Sequence, residues 1–246
     1  MTDKTVIVVG MGEVGRPLFQ ILDRTYPCIA VDISAVEVPS PCSVLHICYP
    51  FQIGAFAETT VGYITKYRPE ITIINSTVAP GTTRKLQQLV QSPVVYSPVR
   101  GKHVRMESEL LRYRKFVAGL TAESMKMAED HFAEAGFLTA TFRTPEVAEL
   151  SKLVETTWLG VLVGWAQEVE RMAIRSGATY DEINAFIQEI DFLPSHVFPG
   201  HIGGHCVMPN IEILQAEYRS RLLEAIIESN EIKSQDLQAV AAGKKN

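Results

Sequence analysis

The sequence predicts an α/β protein: a doubly wound parallel sheet followed by an all-α half with one long helix. Three observations predict it. Short β-branched runs alternate with helical patterns as far as residue 144, and such alternation builds a parallel sheet with helical crossovers. The runs are apolar throughout, as in strands covered on both faces. After Thr144-Pro145 the strands stop and about thirty helical residues follow, with Pro145 suited to a first helical turn. The predicted domains are 1–144 and 145–246.

The first strand is Thr5–Val9, "TVIVV". It runs into "GMGEVG", Gly10-Met11-Gly12-Glu13-Val14-Gly15, which fits G-x-G-x-x-G. In that pattern Gly10 makes the tight turn, Gly12 lets a pyrophosphate approach the backbone, and Gly15 lets the following helix pack on the strand. Val14, Leu18, Ile21 and Leu22 form that helix's apolar side. The second strand, "CIAVD", ends in Asp32, about 20 residues past the turn, where a carboxylate accepts from ribose hydroxyls and repels a 2′-phosphate. The predicted cofactor is therefore NAD rather than NADP, in a Rossmann-like domain. The third strand is Ser43–Cys48, with Tyr49-Pro50 at its carboxyl end, on the ligand side of an open sheet. The crossover from Asp32 to Ser43 is too short for an ordinary helix and contains Pro39 and Pro41.

A helix follows over about Ile53–Tyr67, a strand over Ile71–Asn75, then the loop "STVAPGTT" with Thr77, and a helix opening near Thr82. Val94–Ser97, Lys115–Leu120 and Phe137–Phe142 read as further strands of the sheet, the last two flanking a helix over about Ala122–Ala135. The long helix spans Glu146–Gly177, and its middle, Thr156 to Ala166, is apolar nearly all round, with Trp158 and Trp165. Such a helix is buried on all faces, which predicts a homodimer built on it. Thr179 and Glu182 have the spacing of a capping box for a helix to Ile190. One last helix is expected from about Ile211 to Lys233, with a frayed tail after Gln235.

Charge and composition narrow the function. Hydrophobic residues make up 46%, the range of globular chains, and the net charge of -5 argues against nucleic acid as a partner. No apolar run reaches the roughly 18 residues of a membrane span, and the start leads directly into a strand, so neither a membrane segment nor a signal peptide is expected. Cys28, Cys42, Cys48 and Cys206 have no metal-ligand or CxxC spacing, so no metal is expected and the chain reads as cytoplasmic. The first three lie in or near apolar runs. Cys206 instead sits in "PGHIGGHCVMPN", Pro199–Asn210, dense in glycine, beside His205 and near His201.

Together, "GMGEVG" with Asp32, "STVAPGTT", "AELSKLVETT" and "GGHCVMPN" resemble the UDP-glucose/GDP-mannose dehydrogenase family, over nearly the whole chain. The resemblance implies an N-terminal NAD domain, a central helical domain that dimerises through its long helix, and oxidation of a primary alcohol to a carboxylate with two NAD. It puts the catalytic cysteine on Cys206, whose thiolate adds to the intermediate aldehyde. It puts the oxyanion-stabilising lysine on Lys152 and a water-holding threonine on Thr77. Without the resemblance Lys152 reads as a solvated helix lysine and Thr77 as a turn hydroxyl.

The chain also departs from the family pattern. Val99 stands where "SPVR" would carry a glutamate, His103 at a second acidic position, Thr156 where the helix has asparagine, and Asn210 where the loop has aspartate. The hydrolytic half of the reaction, which takes general-base help worth roughly 10²–10⁴-fold, lacks its expected carboxylates; His103, His201 and His205 are the histidines in reach of that role. The sequence also ends before the family's third, nucleotide-binding domain would begin. The readings that follow are an NAD-dependent oxidoreductase acting on a small molecule with a primary alcohol or aldehyde, a single-step dehydrogenase of the β-hydroxyacid type, and an NAD-binding scaffold.

Overall fold

In a computed structural model the described residues are 5–32, 42–51, 55–191, 193–194 and 197–243. The crossover containing Pro39 and Pro41, the proposed start of a helix at Ile53, and the side chain of His103 lie outside them. Among the described residues there are seven strands, β1 Val6–Val9, β2 Cys28–Val31, β3 Val44–Ile47, β4 Ile71–Ile74, β5 Val94–Tyr96, β6 Lys115–Val117 and β7 Thr139–Thr141. The helices are α1 Gly15–Leu22, α2 Phe56–Tyr67, α3 Thr82–Leu89, α4 Met106–Arg112, α5 Ala122–Glu134, α6 Pro145–Arg175, α7 Tyr180–Gln188, α8 Val207–Tyr218 and α9 Arg221–Gly243.

The chain divides into two compact units, Met1–Lys152 and Leu153–Asn246. The division falls inside α6 rather than at its start. Its opening turns belong with the first unit because Ala148 packs into that unit's core and Glu149 hydrogen-bonds the start of α3.

In the first unit five parallel strands lie in the order β2-β1-β3-β4-β5. The order reverses at β1, so the carboxyl ends of β1 and β3 border the crevice where doubly wound folds take ligands. Both faces of the sheet are covered. Leu18, Ile21 and Leu22 of α1, Met106 and Leu110 of α4, and Phe132 of α5 pack on one face. Phe56, Ile64 and Tyr67 of α2 and Leu86 of α3 pack on the other. Ile7, Val8, Leu45 and Ile73 have no exposed surface at all, which explains the unbroken apolar strands.

Four elements differ from the sequence reading. The strands at Lys115 and Phe137 do not extend the main sheet; β6 and β7 pair only with each other, in parallel, and join the main sheet through an antiparallel bridge between Tyr96 and Ala118. Alternation signals a parallel pair but not which sheet the pair joins. Helix α4, with the single 3-10 turn His103–Arg105 before it, went unread. The single C-terminal helix is two, broken where Arg219 takes a left-handed conformation at φ 39°. The tail after Gln235 remains helical to Gly243. The Thr179–Glu182 capping box, in contrast, forms in full ahead of α7.

In the second unit α6 packs on α8 and α9 through its small residues. A methyl group on Gly160 would meet Ile211 and Val207, and one on Gly164 would meet Ile226. Opposite that face, Trp158, Leu159 and Trp165 are more than half exposed in the single chain. The expectation of a helix covered on every face is thus not met within one chain.

Candidate functional site

The first unit presents its crevice through glycine geometry. Gly10 has φ +92°, and a side chain there would strike the backbone of Tyr49 at 2.7 Å. A side chain on Gly15 would lie 1.8 Å from the carbonyl oxygen of Gly10. Gly12, between them, has nothing within 4 Å of the position a Cβ would take. Two of the three glycines are thus demanded by the fold, whereas Gly12 faces open space. That space is where a pyrophosphate would press against the backbone. Asp32 is exposed just past the end of β2. The residues present fit a dinucleotide. Met11, Glu13 and Val14 complete the turn, and Tyr49 and Pro50 border it from the β3 side, where the Tyr49 hydroxyl lies 2.6 Å from Thr60 Oγ1.

Thr77 is half-buried in the loop between β4 and α3. The loop is anchored at both ends. Ser76 Oγ donates to the carbonyl of Tyr49 at 2.6 Å. At the far end the carboxylate of Glu149, wholly buried, accepts from Gly81 N–H at 2.6 Å, Thr83 N–H at 2.8 Å and Thr83 Oγ1 at 2.6 Å. A carboxylate at the start of α3 meets the positive end of the helix dipole and its unpaired N–H groups. Burial nevertheless pushes the Glu149 carboxyl up, against the pull of these donors. Lys152 follows Glu149 by three residues, nearly one helical turn along α6, and is half-buried.

Under the crevice lies a polar chain that the sequence reading missed. Lys115, 2% exposed, donates to Ser97 O at 2.6 Å, to Pro98 O at 3.0 Å and to Asn75 Oδ1 at 3.0 Å. Asn75 Nδ2 donates to His46 Nδ1 at 3.1 Å, and His46 Nε2 meets His131 Nε2 at 3.0 Å. The donor inventory fixes the direction. An ammonium only donates, so it must face the amide oxygen of Asn75. The amide nitrogen then donates to Nδ1 of His46, which leaves the His46 proton on Nε2 and makes Nε2 of His131 an acceptor. Burial holds His46 well below the usual imidazole range, with the charges of His131 and Lys115 adding to the effect, and so keeps it neutral. The signals for this cluster were a lysine opening an apolar strand and an asparagine closing another.

Burial pushes the Lys115 amine down to about 7 and pushes the thiols of Cys28, Cys42 and Cys48 up to about 12. An unfolded lysine titrates near 10.4, so between pH 7 and 10.4 the unfolded chain holds the extra proton and stability rises with pH, by about 1.4 kcal/mol per unit. As pH approaches about 8.5 the three unfolded thiols ionise while those of the folded chain do not, and together they reverse the slope at about pH 8. Denaturant unfolding is expected to show stability climbing by only about 0.5 kcal/mol from pH 7 to about 8 and falling above. Lys115→Met should remove the climb, and a climb that survives it would assign the titration elsewhere.

In the second unit Cys206 is the residue immediately before α8, and its carbonyl accepts from Asn210 N–H. It is half-buried, between exposed His205 and buried Val207, and His201 is exposed. The preceding loop is held by side chains of α6 and α9. Asn230 pairs with both backbone groups of Ile202, Oδ1 accepting at 2.7 Å and Nδ2 donating at 3.0 Å. Gln167 Nε2 donates to Gly200 O at 2.7 Å, and Ser229 Oγ donates to Gln167 Oε1 at 2.9 Å. Gln167 and Asn230, polar residues within apolar helix faces, carried the only sequence hint of this anchoring.

Two positions that depart from the family pattern turn out to be partners. Asn210 is buried and donates to Thr156 Oγ1 at 2.7 Å, and Thr156 Oγ1 donates to Leu153 O at 3.1 Å. Asparagine and threonine thus form a neutral pair between α8 and α6. Val99 packs into the core of the first unit. Among the described residues no group of three or more histidine, cysteine or carboxylate side chains is placed to hold a metal, and no helix is long and apolar enough to cross a membrane.

These features define a dinucleotide-type α/β unit followed by a helical unit with a cysteine at a helix start. Residues 146–232 match the UDP-glucose/GDP-mannose dehydrogenase family, central domain. A UDP-N-acetyl-D-mannosamine dehydrogenase of Methanococcus vannielii is 24% identical, over 83% of this chain and 59% of the relative, so the chain spans little more than half that protein's length. The structure of UDP-D-ManNAc dehydrogenase from Pyrococcus horikoshii superposes with a TM-score of 0.80 at 19% identity, over 97% of this chain and 70% of that one. A 3-hydroxyisobutyrate dehydrogenase from Mycobacterium tuberculosis superposes with a TM-score of 0.70 at 13% identity, over 94% of this chain and 93% of that one.

Proposed function

We propose that the protein is an NAD-dependent dehydrogenase that oxidises a primary alcohol or aldehyde on a small molecule, in the manner of the nucleotide-sugar dehydrogenases. The open space above Gly12, at the point where strand order reverses, carries this reading. NAD, when bound, supplies the hydride acceptor. Gly10–Gly15, Tyr49 and Pro50 form its cradle, Asp32 takes the ribose hydroxyls, and the Thr77 hydroxyl holds water at the edge of the crevice. The Cys206 thiolate adds to the aldehyde carbon, forming a C–S bond as the carbonyl becomes an alkoxide. Lys152 stabilises that alkoxide. Loss of hydride from the same carbon leaves a thioester, and water cleaves the C–S bond to release a carboxylate and restore the thiol.

The Thr156–Asn210 pair bears on the last step, because it offers hydrogen bonds where a carboxylate would take a proton. A second reading, a dehydrogenase that stops after one hydride, is favoured by the likeness to 3-hydroxyisobutyrate dehydrogenase over nearly that protein's full length. We further propose a cytoplasmic homodimer, seated on the exposed Trp158, Leu159 and Trp165 of α6.

One set of samples tests cofactor and assembly together. NAD at about 100-fold its Kd should stabilise the protein by roughly 2.7 kcal/mol, and NADP by clearly less because Asp32 repels its 2′-phosphate. Light scattering should give twice the chain mass of 27.3 kDa. Equal stabilisation by NADP would remove Asp32 from its role, and a monomer at micromolar concentration would remove the dimer.

A further inference from the structure

Lys115 reaches from β6 to the carboxyl ends of two neighbouring strands. Its acceptors are the side chain of Asn75, which follows β4 and directly precedes Ser76-Thr77, and the carbonyls of Ser97 and Pro98, which follow β5 and directly precede Val99. An ammonium has three N–H donors and a free amine two. Three oxygens at 2.6–3.0 Å therefore match the charged form, donor for acceptor. Among the described residues no carboxylate hydrogen-bonds this amine, so its charge is held by neutral oxygens and by the face of Phe132, 5.2 Å away. The amide of Asn75 is committed on its other side to His46 and to Ile73 O, so it cannot turn to follow a change at Lys115.

We propose that Lys115 is a positioning residue for the cofactor crevice: as an ammonium it clamps the loops after β4 and β5 together, and on losing its proton it frees one oxygen and loosens the loop that carries Thr77. The groups facing it are consistent with a titration confined to this amine. His46 and, beyond it, His131 lie along the Asn75 branch, and His46 is neutral throughout the range. The Cys48 thiol, held at about 12, is neutral as well. Lys152 of α6 is the nearby cation, and its charge favours release of the Lys115 proton. Cofactor affinity should then fall as pH rises through about 7, the range to which burial pushes this amine. The cofactor part of the inference rests on the NAD reading above; the clamp itself does not.

The test is a pair of pH titrations from 6 to 9 on the wild-type chain and on Lys115→Arg, whose guanidinium stays charged throughout. In amide-resolved NMR without cofactor, Ser76, Thr77, Val99 and Arg100 of the wild type should shift together with one midpoint, matched by the Lys115 side-chain carbon signal. In Lys115→Arg those amides should not titrate. The wild-type Kd for NAD should rise about tenfold over the same range, within the usual span of site-to-site coupling, and stay flat in the variant. Amides that do not move in the wild type, or that move identically in Lys115→Arg, overturn the clamp. If Lys115→Arg does not fold, the match between the lysine carbon midpoint and the four amides decides, and a mismatch overturns it. Titrating amides in a chain that binds no NAD would uphold the clamp and remove the cofactor reading.

Discussion

Gly15→Ala is expected to break the first unit, and Gly12→Ala to leave it intact while abolishing NAD binding. The difference lies in what a methyl group would meet. At Gly15 it would sit 1.8 Å from the backbone oxygen of Gly10, with Cys48 Cβ at 3.1 Å behind it. Backbone cannot move aside as a flexible side chain does, so α1 must lift from β1 and part company with the Leu18, Ile21 and Leu22 packing. A cost of about 4 kcal/mol or more is expected, in the range reserved for severe clashes, and a Tm lower by roughly 10 °C for a chain of this length. At Gly12 the methyl group enters open space, so Tm without ligand should stay within about 1 °C of wild type. The same methyl group would occupy the volume a pyrophosphate needs, and the stabilisation by NAD should vanish. Melting curves of both variants with and without NAD make the measurement. A Gly12→Ala protein that NAD still stabilises would remove the crevice from its assigned role.

Cys206→Ser should lose acid formation by roughly 10³-fold or more, as removal of a nucleophile does, while NAD still stabilises the variant. The other three thiols cannot substitute. Burial holds Cys28, Cys42 and Cys48 at about 12, so at neutral pH they present almost no thiolate. Alkylation at pH 7.5 should therefore label Cys206 ahead of all three, and bound NAD should change its rate. The neutral Thr156–Asn210 pair predicts a further outcome. If water attack on the thioester lacks a carboxylate there, substrate and NAD should leave a covalent adduct on wild-type protein, visible by intact mass and absent in Cys206→Ser. Peptide mapping that finds Cys206 no more reactive than the other three cysteines would sink the nucleophile and favour the single-hydride reading.

The parts of this protein that were legible in the sequence are those set by local physics. Unbroken apolar runs located the seven described strands to within a few residues, and burial on both faces accounts for the composition of β1, β3 and β4. The glycine turn was legible because only glycine tolerates φ +92° or a carbonyl at the distance seen for Gly15. Thr179 and Glu182 cap one another across three residues, so the start of α7 could be read from spacing alone. Tertiary structure decided the rest, because the deciding partners are far apart in sequence. Whether β6 and β7 extend the main sheet depends on β5, and the chain pairs them with each other instead. Glu149 reads as one more polar residue of a long helix until Gly81 and Thr83, more than sixty positions earlier, supply its three donors. Lys115 reads as a strand-edge lysine until Asn75, Ser97 and Pro98 enclose it. Thr156 and Asn210 look like two separate departures from a family pattern, and only the approach of α8 to α6 over Gly160 turns them into one hydrogen-bonded pair.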